Sequence, residues 1–343
     1  MIMNNQPIIL REGSYGEEEL QKLKDKPEVK IFDIYSQQKE ELLSVKKSQN
    51  KSSKKKLNLI DGDWVYYPWS NTLLHTISEK DNDFLKTNRN RNIITLEEQE
   101  KLSNFTIAVA GLSVGSNIAT TLLYNGFAKN IKLADFDALE TTNLNRVRAK
   151  LSDVGEKKSD ILSRQLYEID PYINITQFSE GLNKENVANF LDGVKIVFEI
   201  IDDLEMKILI RKEAQELKIP VVMLTSIGDS VMIDVERYDL EPEVKIFNGL
   251  VDEKSIEDIL AKKVSKEDLN KYVVKIVGSQ NIPEKVMNSL KEIGKTLSGR
   301  PQLMSTVTVA SGLAVFIARK IALGEKVPSG RSIFNFEDII KND

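Results

Sequence analysis

From Phe105 to Leu224 the chain alternates short apolar runs with amphipathic segments, and this order restricts the fold more than any other feature of its 343 residues. The runs Thr106–Ala110, Ile131–Asp135, Ile173–Phe178, Val194–Ile200 and Pro220–Leu224 have the length of strands. The segments Ser116–Asn125, Lys157–Ile169, Lys184–Leu191 and Leu204–Leu217 between them have helical period. Such alternation builds a mostly parallel sheet with right-handed crossovers and helices on both faces, a Rossmann-like α/β domain. Val231–Tyr238 follows a Gly228-Asp229 turn and reads as a further strand, so antiparallel strands are expected after residue 220.

Three regions are expected. Residues 1–86 form an accessory region with a helix near Glu17–Lys24, an apolar run at Val29–Ile34 and a Lys/Ser-rich stretch at residues 45–56. That stretch, VKKSQNKSSKKK, is aperiodic and reads as a solvated linker, with a phosphate-rich partner as the alternative. After it, Asp63–Ser70 places both tryptophans beside two tyrosines, which suits a strand pair or a packed turn. Residues 87–240 are the α/β core. Residues 241–343 add a charged helical segment, Ser255–Gly294, and a long helix, Leu303–Leu323, whose Ala310, Ser311, Gly312 and Ala314 permit close packing on the core.

A formal net charge of -4 leaves no global basic field, so nucleic acid is not the expected partner. No stretch is read as the roughly 20 apolar residues of a membrane helix, and Met1 to Arg11 lacks a signal-peptide core; a cytoplasmic protein with no membrane partner is expected. The chain has no cysteine, which removes disulfides, a thiolate nucleophile, a thioester intermediate and a cysteine zinc site from its own chemistry. His75, the one histidine, sits among Leu73, Leu74 and Ile77 and reads as a packed or half-exposed residue rather than a catalyst.

The run TIAVA ends in Gly111-Leu112-Ser113-Val114-Gly115-Ser116 and leads directly into a helix. Glycines there let the backbone turn tightly beneath a phosphate, with the N–H groups of the helix start facing the anion. Gly111, Ser113 and Gly115 are therefore candidate nucleotide contacts. A full G-x-G-x-x-G is absent, so a plain strand–helix turn is the competing reading. Asp135 closes the next strand, where a carboxylate can accept the ribose hydroxyls of NAD or ATP alike. Its bland alternative is an acid that merely caps the strand end.

The residues that follow separate the two nucleotides. Asp135-Phe136-Asp137-Ala138-Leu139-Glu140-Thr141-Thr142-Asn143-Leu144-Asn145-Arg146 resembles the D-x-D-x-V-x-x-S-N-L-x-R-Q signature of the ThiF, MoeB and ubiquitin-activating-enzyme superfamily. The likeness continues through Gly155-Glu156-Lys157-Lys158, similar to a V-G-x-x-K step, and through Ile169-Asp170-Pro171, similar to I-N-P. Asp202-Asp203-Leu204-Glu205-Met206-Lys207 resembles D-N-x-x-x-R, with Asp203 in place of the family Asn and Lys207 in place of the Arg. Upstream, Arg89-Asn90-Arg91-Asn92 resembles R-Y-x-R-Q, with Asn90 and Asn92 as departures. The superfamily likeness covers Arg89 to Asp239. Over the whole chain, the segments WVYYPWS, GLSVGS and Pro301 to Arg331 are similar to the ThiF-type domain of bacterial ThiF–nitroreductase fusion proteins.

This resemblance implies a dimeric, ATP- and Mg²⁺-dependent adenylyltransferase of the ubiquitin-like modifier-activating class. It also implies that Arg91 reaches the ATP of the other subunit, and that Asn143 contacts a phosphate or the reacting carboxylate. The chemistry gives the other positions their tasks. ATP carries about four negative charges and an attacking carboxylate adds another, so cations must gather around the α-phosphorus. The planar Arg146 guanidinium can grip two phosphate oxygens, the compact Lys158 ammonium suits the departing pyrophosphate, and Asp202 at a strand end is placed for Mg²⁺. Asp137 completes the nucleotide-binding set, and Lys157 is the competitor of Lys158. The expected substrate is a carboxylate: the C-terminus of a small ubiquitin-like protein or peptide, or a small acid, with no zinc and no cysteine thioester step. A flavin nitroreductase-like protein is the further partner suggested. Two other readings stand beside this one: a non-catalytic nucleotide-binding or dimerisation subunit, and an NAD- or FAD-dependent oxidoreductase component.

Overall fold

The computed structural model describes residues 5–11, 17–49 and 62–340. Its contacts divide the chain into two compact units: one of Met1–Glu100, Leu123–Gly126 and Leu162–Ile173, the other of Lys101–Leu122, Phe127–Ile161 and Asn174–Asp343.

The first unit contains β1 (Ile8–Leu10), α1 (Glu17–Lys24), β2 (Lys30–Asp33), α2 (Tyr35–Gln49), β3 (Asp63–Tyr67), β4 (Thr72–Thr76) and α3 (Glu79–Lys86). Its sheet has the order β1-β3-β4-β2, with β3 antiparallel to both β1 and β4 and β2 parallel to β4. The expected strand pair at Asp63–Ser70 is thus the β3–β4 hairpin, packed around Leu10, Trp64, Tyr66 and Leu73. His75 is half-buried and lies between the rings of Trp64 and Tyr35, at centroid distances of 4.2 and 4.7 Å, as a packed residue. Two polar anchors hold this unit: Tyr172 donates to Asp63 Oδ2 at 2.8 Å, and the fully buried Asp170 pairs with Lys86. Of the stretch read as a linker, Val45–Gln49 instead ends α2, because Tyr35–Gln49 carries only residues a helix tolerates; the remainder lies outside the described residues.

Onward along the chain come α4 (Leu96–Ser103), β5 (Thr106–Ala110), α5 (Gly115–Tyr124), β6 (Asn130–Ala134), α6 (Lys158–Ile169), β7 (Asn174–Phe178), α7 (Val187–Leu191), β8 (Ile196–Glu199), α8 (Leu204–Glu216), β9 (Val221–Ile227) and β10 (Ser230–Glu236). They are followed by α9 (Glu253–Leu260), α10 (Lys266–Val277), α11 (Glu284–Leu290), α12 (Met304–Ala322), β11 (Gly330–Asn335) and α13 (Glu337–Ile340). The second unit is built on a seven-stranded sheet of order β11-β10-β9-β8-β5-β6-β7. Its five strands from β9 to β7 run parallel, and β10 and β11 are antiparallel additions.

The antiparallel strands expected after residue 220 are β10, which starts at Ser230, and β11, which pairs in register with β10 and carries no local strand signal strong enough to read alone. One sequence expectation is corrected: Met304–Ala322 is, by length and composition, apolar enough to cross a membrane, although no stretch of the chain was expected to be. Its Val307, Ala310, Ala314, Val315 and Ala318 are buried and the helix packs on β9 and β10, as a core helix does.

The strand order fixes where a ligand can lie. From β5 the chain moves outward to β6 and β7, then returns to the opposite side of β5 as β8. The carboxyl ends of β5 and β8 therefore flank a topological switch point, the place where open α/β sheets bind ligands.

Candidate active site at the switch point of the sheet

Gly111 leaves β5 with φ of 88°, and a Cβ built on it would fall 2.5 Å from Ile200 O. The glycine is required twice, by its left-handed backbone and by the close passage of the chain leaving β8. Gly115 opens α5, where a Cβ would meet Val109 Cγ1 at 2.7 Å, so the helix sits tightly on its own strand. Between them Ser113 is partly exposed, and its carbonyl accepts from Ser116 Oγ at 2.9 Å. Leu112, which stands near the middle glycine of the usual motif, is fully buried.

The turn and the acid after β6 are one structure. Leu112 N donates to Asp135 Oδ2 at 2.6 Å, and Asp137 N donates to Asp135 Oδ1 at 2.8 Å. Burial pushes the Asp135 carboxyl above its ordinary value; the two backbone donors and the charge of Lys158 oppose that rise. Asp137 in turn holds Lys158: its Oδ2 accepts from Lys158 Nζ at 2.8 Å, and its carbonyl accepts from Lys158 N at 3.0 Å. The Lys158 side chain is 6% exposed, whereas Lys157 points to the end of β7, donating to Ser179 O at 3.1 Å and pairing with Glu180. The structure thus separates the two competing lysines, and Lys158 is the one joined to Asp135 through Asp137.

Arg146 lies on the loop between β6 and α6, which Leu139, Val147 and Ile161 anchor as a small apolar cluster. Asn143 shapes that loop, its Oδ1 accepting from Glu140 N at 3.1 Å across a short turn. The Arg146 guanidinium donates through Nη1 to Thr142 O at 3.0 Å and to Asn145 Oδ1 at 2.9 Å. Its Nε is buried without a hydrogen-bond partner among the described residues. Burial lowers the Arg146 pKa, Asp202 and Glu140 act to raise it, and Arg300 acts with burial to lower it. Asn117 of α5 donates to Arg146 O at 3.0 Å, and its own buried Oδ1 is likewise without a partner. Sequence reading passed over Asn117; the signal was a lone amide inside the otherwise small and apolar start of the α5 segment.

Asp202 follows β8 and is the most open member, with its side chain 86% exposed and ion-paired to Arg300. The two departures nearby are both accommodated. Asp203 caps α8 by accepting from Met206 N at 2.7 Å, the task an asparagine would perform. Lys207 places its ammonium 2.8 and 3.0 Å from the two oxygens of Glu199, so the lysine fully engages the buried carboxylate. Arg91 belongs to the first compact unit, where its guanidinium lies over the Phe84 ring at 4.6 Å.

Gly111, Asp135, Asp137 and Lys158 are therefore joined by direct hydrogen bonds through Leu112, Asn117 ties Arg146 to the helix behind the glycine turn, and Asp202 acts electrostatically on Arg146. Such a set offers carboxylate oxygens as acceptors for hydroxyl groups and two cations for an anionic ligand. Among the described residues no group of three or more His, Cys, Asp or Glu is arranged to hold a metal ion by itself.

The family model described as ThiF family matches residues 87–342. An uncharacterized protein of Mycobacterium tuberculosis is 37% identical over 268 residues, which cover 78% of this chain and 37% of that protein. A tRNA threonylcarbamoyladenosine dehydratase of Bacillus subtilis is 30% identical over 210 residues, covering 60% of this chain and 79% of the enzyme. Among solved structures, the E. coli tRNA N6-threonylcarbamoyladenosine dehydratase in complex with AMP is similar with a TM-score of 0.50 and 18% identity, over 70% of this chain and 95% of that one. The chain thus spans little more than a third of the length of the mycobacterial relative.

Proposed function

We propose that this chain, which belongs to the ThiF family, binds MgATP at the carboxyl ends of β5, β6 and β8 and transfers AMP to a carboxylate, releasing pyrophosphate. The observation that carries this reading is the hydrogen-bonded series from the Gly111 turn through Asp135 and Asp137 to Lys158, beside an arginine with a buried donor to spare. A dinucleotide oxidoreductase has use for the first half of that series and none for the cations. The AMP held by a dehydratase of similar fold supports an adenine nucleotide over NAD.

In this reaction a carboxylate oxygen forms a bond to the α-phosphorus while the bond from that phosphorus to the bridging oxygen breaks, and the electron pair leaves with pyrophosphate. Asp135 receives the ribose hydroxyls. Arg146 turns its free Nε and the fork of its guanidinium to the phosphate oxygens, spreading the charge that develops between attacking and leaving groups. Lys158, held by Asp137, faces the pyrophosphate. Asp202 is the residue that would hold Mg²⁺. One carboxylate fits that ion, which keeps most of its waters and takes phosphate oxygens as its other ligands. When bound it supplies positive charge to the departing pyrophosphate.

The test is ATP–pyrophosphate exchange in the presence of candidate carboxylates, including peptide and ubiquitin-like C-termini. Arg146→Ala and Lys158→Ala are each expected to lower exchange by about 10²–10³-fold, the loss typical of removing one transition-state donor. Exchange that persists in both variants rules the site out. The Bacillus relative favours one second reading, in which the oxygen nucleophile belongs to a modified tRNA nucleoside rather than to a protein, a peptide or a small acid. Exchange stimulated by tRNA and by no carboxylate would select it. The dimer expected from the family resemblance is read by sedimentation, and Arg91→Ala in one subunit of a mixed dimer tests whether that arginine acts across it.

A further inference from the structure

Arg300 lies 98 residues beyond Asp202 in sequence, on the segment that joins α11 to α12, and its guanidinium is ion-paired to the Asp202 carboxylate. The segment is fixed at a second point as well. Gln302 O accepts from Asn145 Nδ2 at 2.8 Å, and the same Asn145 amide uses its oxygen to accept from Arg146 Nη1 at 2.9 Å. Residues 300–302 are thus strapped across the loop that presents Arg146 and the strand end that presents Asp202. Arg300 is paired to Asp202, and the charges of both Asp202 and Arg300 are felt at Arg146. Arg300 is 49% exposed, so the ion pair is not holding a core together and contributes little to folding.

We propose that Arg300, ion-paired to Asp202, is a third polyphosphate-binding cation of this site, a reading that rests on nucleotide binding at the switch point. An acid that must serve a metal ion cannot remain the partner of a guanidinium that competes for the same oxygens. With MgATP bound, Asp202 would be the residue left to hold the magnesium and the Arg300 fork would serve the β and γ phosphate oxygens. The guanidinium is well matched to this, since planar bidentate contact with phosphate is stronger than with a single exposed carboxylate oxygen. This change of partner also keeps charge balanced, one cation moving from a carboxylate to a polyphosphate.

Calorimetric titration of the full chain with ATP and with AMP, each with and without Mg²⁺, tests this without reading activity. Arg300→Ala is expected to weaken ATP by about tenfold, the loss of a charge-assisted contact, and to leave AMP within about twofold, because AMP has no β or γ phosphate. Arg300→Lys should recover part of the ATP affinity. In Arg300→Ala the Mg²⁺ concentration for half-maximal ATP binding should fall, as Asp202 no longer has a competing partner. Equal weakening of ATP and AMP, or no change in either, overturns the proposal. A wild-type chain that binds no ATP removes both this proposal and the nucleotide reading, whereas ATP binding that is indifferent to Arg300 removes this one alone.

Discussion

Arg211 Nε lies 2.7 Å from Glu236 Oε2, and neither side chain has any exposed surface. The same guanidinium reaches Glu199 Oε2 at 2.6 Å through Nη1 and lies over the Phe247 ring at 4.2 Å, while Glu236 also accepts from Tyr238 and from Phe247 N. Lys207 completes the set at Glu199. Two cations on α8 therefore face two carboxylates, one from β8 and one from β10, and Arg211 bridges the parallel part of the sheet to its antiparallel extension. Removing Arg211 leaves the buried Glu236 without a cation and Glu199 with Lys207 alone. Arg211→Met is expected to lower stability by about 3–5 kcal/mol in urea denaturation, the usual result of breaking a buried pair from one side. Lys207→Ala should cost less, since Glu199 keeps its bond to Arg211. Equal losses in the two variants would show that the pair is not the centre of the network.

Lys158 is buried at the start of α6, and Asp137 is what aims it. Asp137→Asn keeps the shape but replaces a charged acceptor by a neutral amide, so the ammonium is less firmly placed and its contact with a pyrophosphate weakens. About a tenfold loss in kcat/KM for exchange is expected, borne mostly by kcat, with Tm almost unchanged because Asp137 is half-exposed. A large fall in Tm with no kinetic effect would make the pair structural.

Much of this site was legible in the sequence because its first half is local. A strand end, a glycine turn and an acid one strand on are neighbours by the geometry of any parallel α/β unit, so Gly111 and Asp135 could be read from spacing alone. Lys157 and Lys158 could not be told apart by the same means. They are adjacent at the start of one helix, and in the fold Lys157 pairs in a bridge with Ala138 and reaches Ser179 and Glu180, whereas Lys158 opens α6. The Asp202 partner was invisible for a related reason: Arg300 arrives from a segment with no periodic pattern, and nothing near either residue announces the other. The pairing of β11 with β10, such as Ile233 with Ser332, is equally remote in sequence. Long-range pairing is set by the packed whole, while propensity and pattern act over a few residues.

Gly111 offers a test of how closely the two strand ends approach. An alanine there meets Ile200 O at 2.5 Å and must hold a φ of 88°, a conformation that L residues rarely adopt. Backbone strain of about 1–3 kcal/mol follows, and the crevice between β5 and β8 must widen. Gly111→Ala should lower Tm by several degrees and weaken ATP and AMP together, since the ribose end of the site is disturbed. Gly193, which closes no such approach and has open space around its Cβ position, is the control: Gly193→Ala carries the left-handed strain alone and should leave nucleotide affinity intact.

Asp135 sets function against stability. Its folded pKa is raised by burial, so the folded chain binds that proton more tightly than the unfolded chain does. The stabilising contribution of the protonated form is complete below the ordinary aspartate value, near about pH 4, and is lost as pH rises through the folded value above it. At neutral pH the ionised carboxylate is kept at a cost, offset in part by Leu112 N and Asp137 N. Asp135→Asn removes the charge while its amide oxygen can still accept from Leu112 N, at the loss of the acceptor for Asp137 N. Where relief of the buried charge outweighs that lost bond, the variant should match or exceed the wild-type Tm at pH 7 and lose that advantage as the pH is lowered toward 4, where the wild-type acid becomes neutral as well. Its ATP affinity should fall at least about tenfold, through the loss of a charged acceptor for the ribose hydroxyls. A variant that is less stable than wild type at pH 7 and more nearly equal at low pH would reverse the sign, and would mean that the two backbone donors outweigh the burial of the charge.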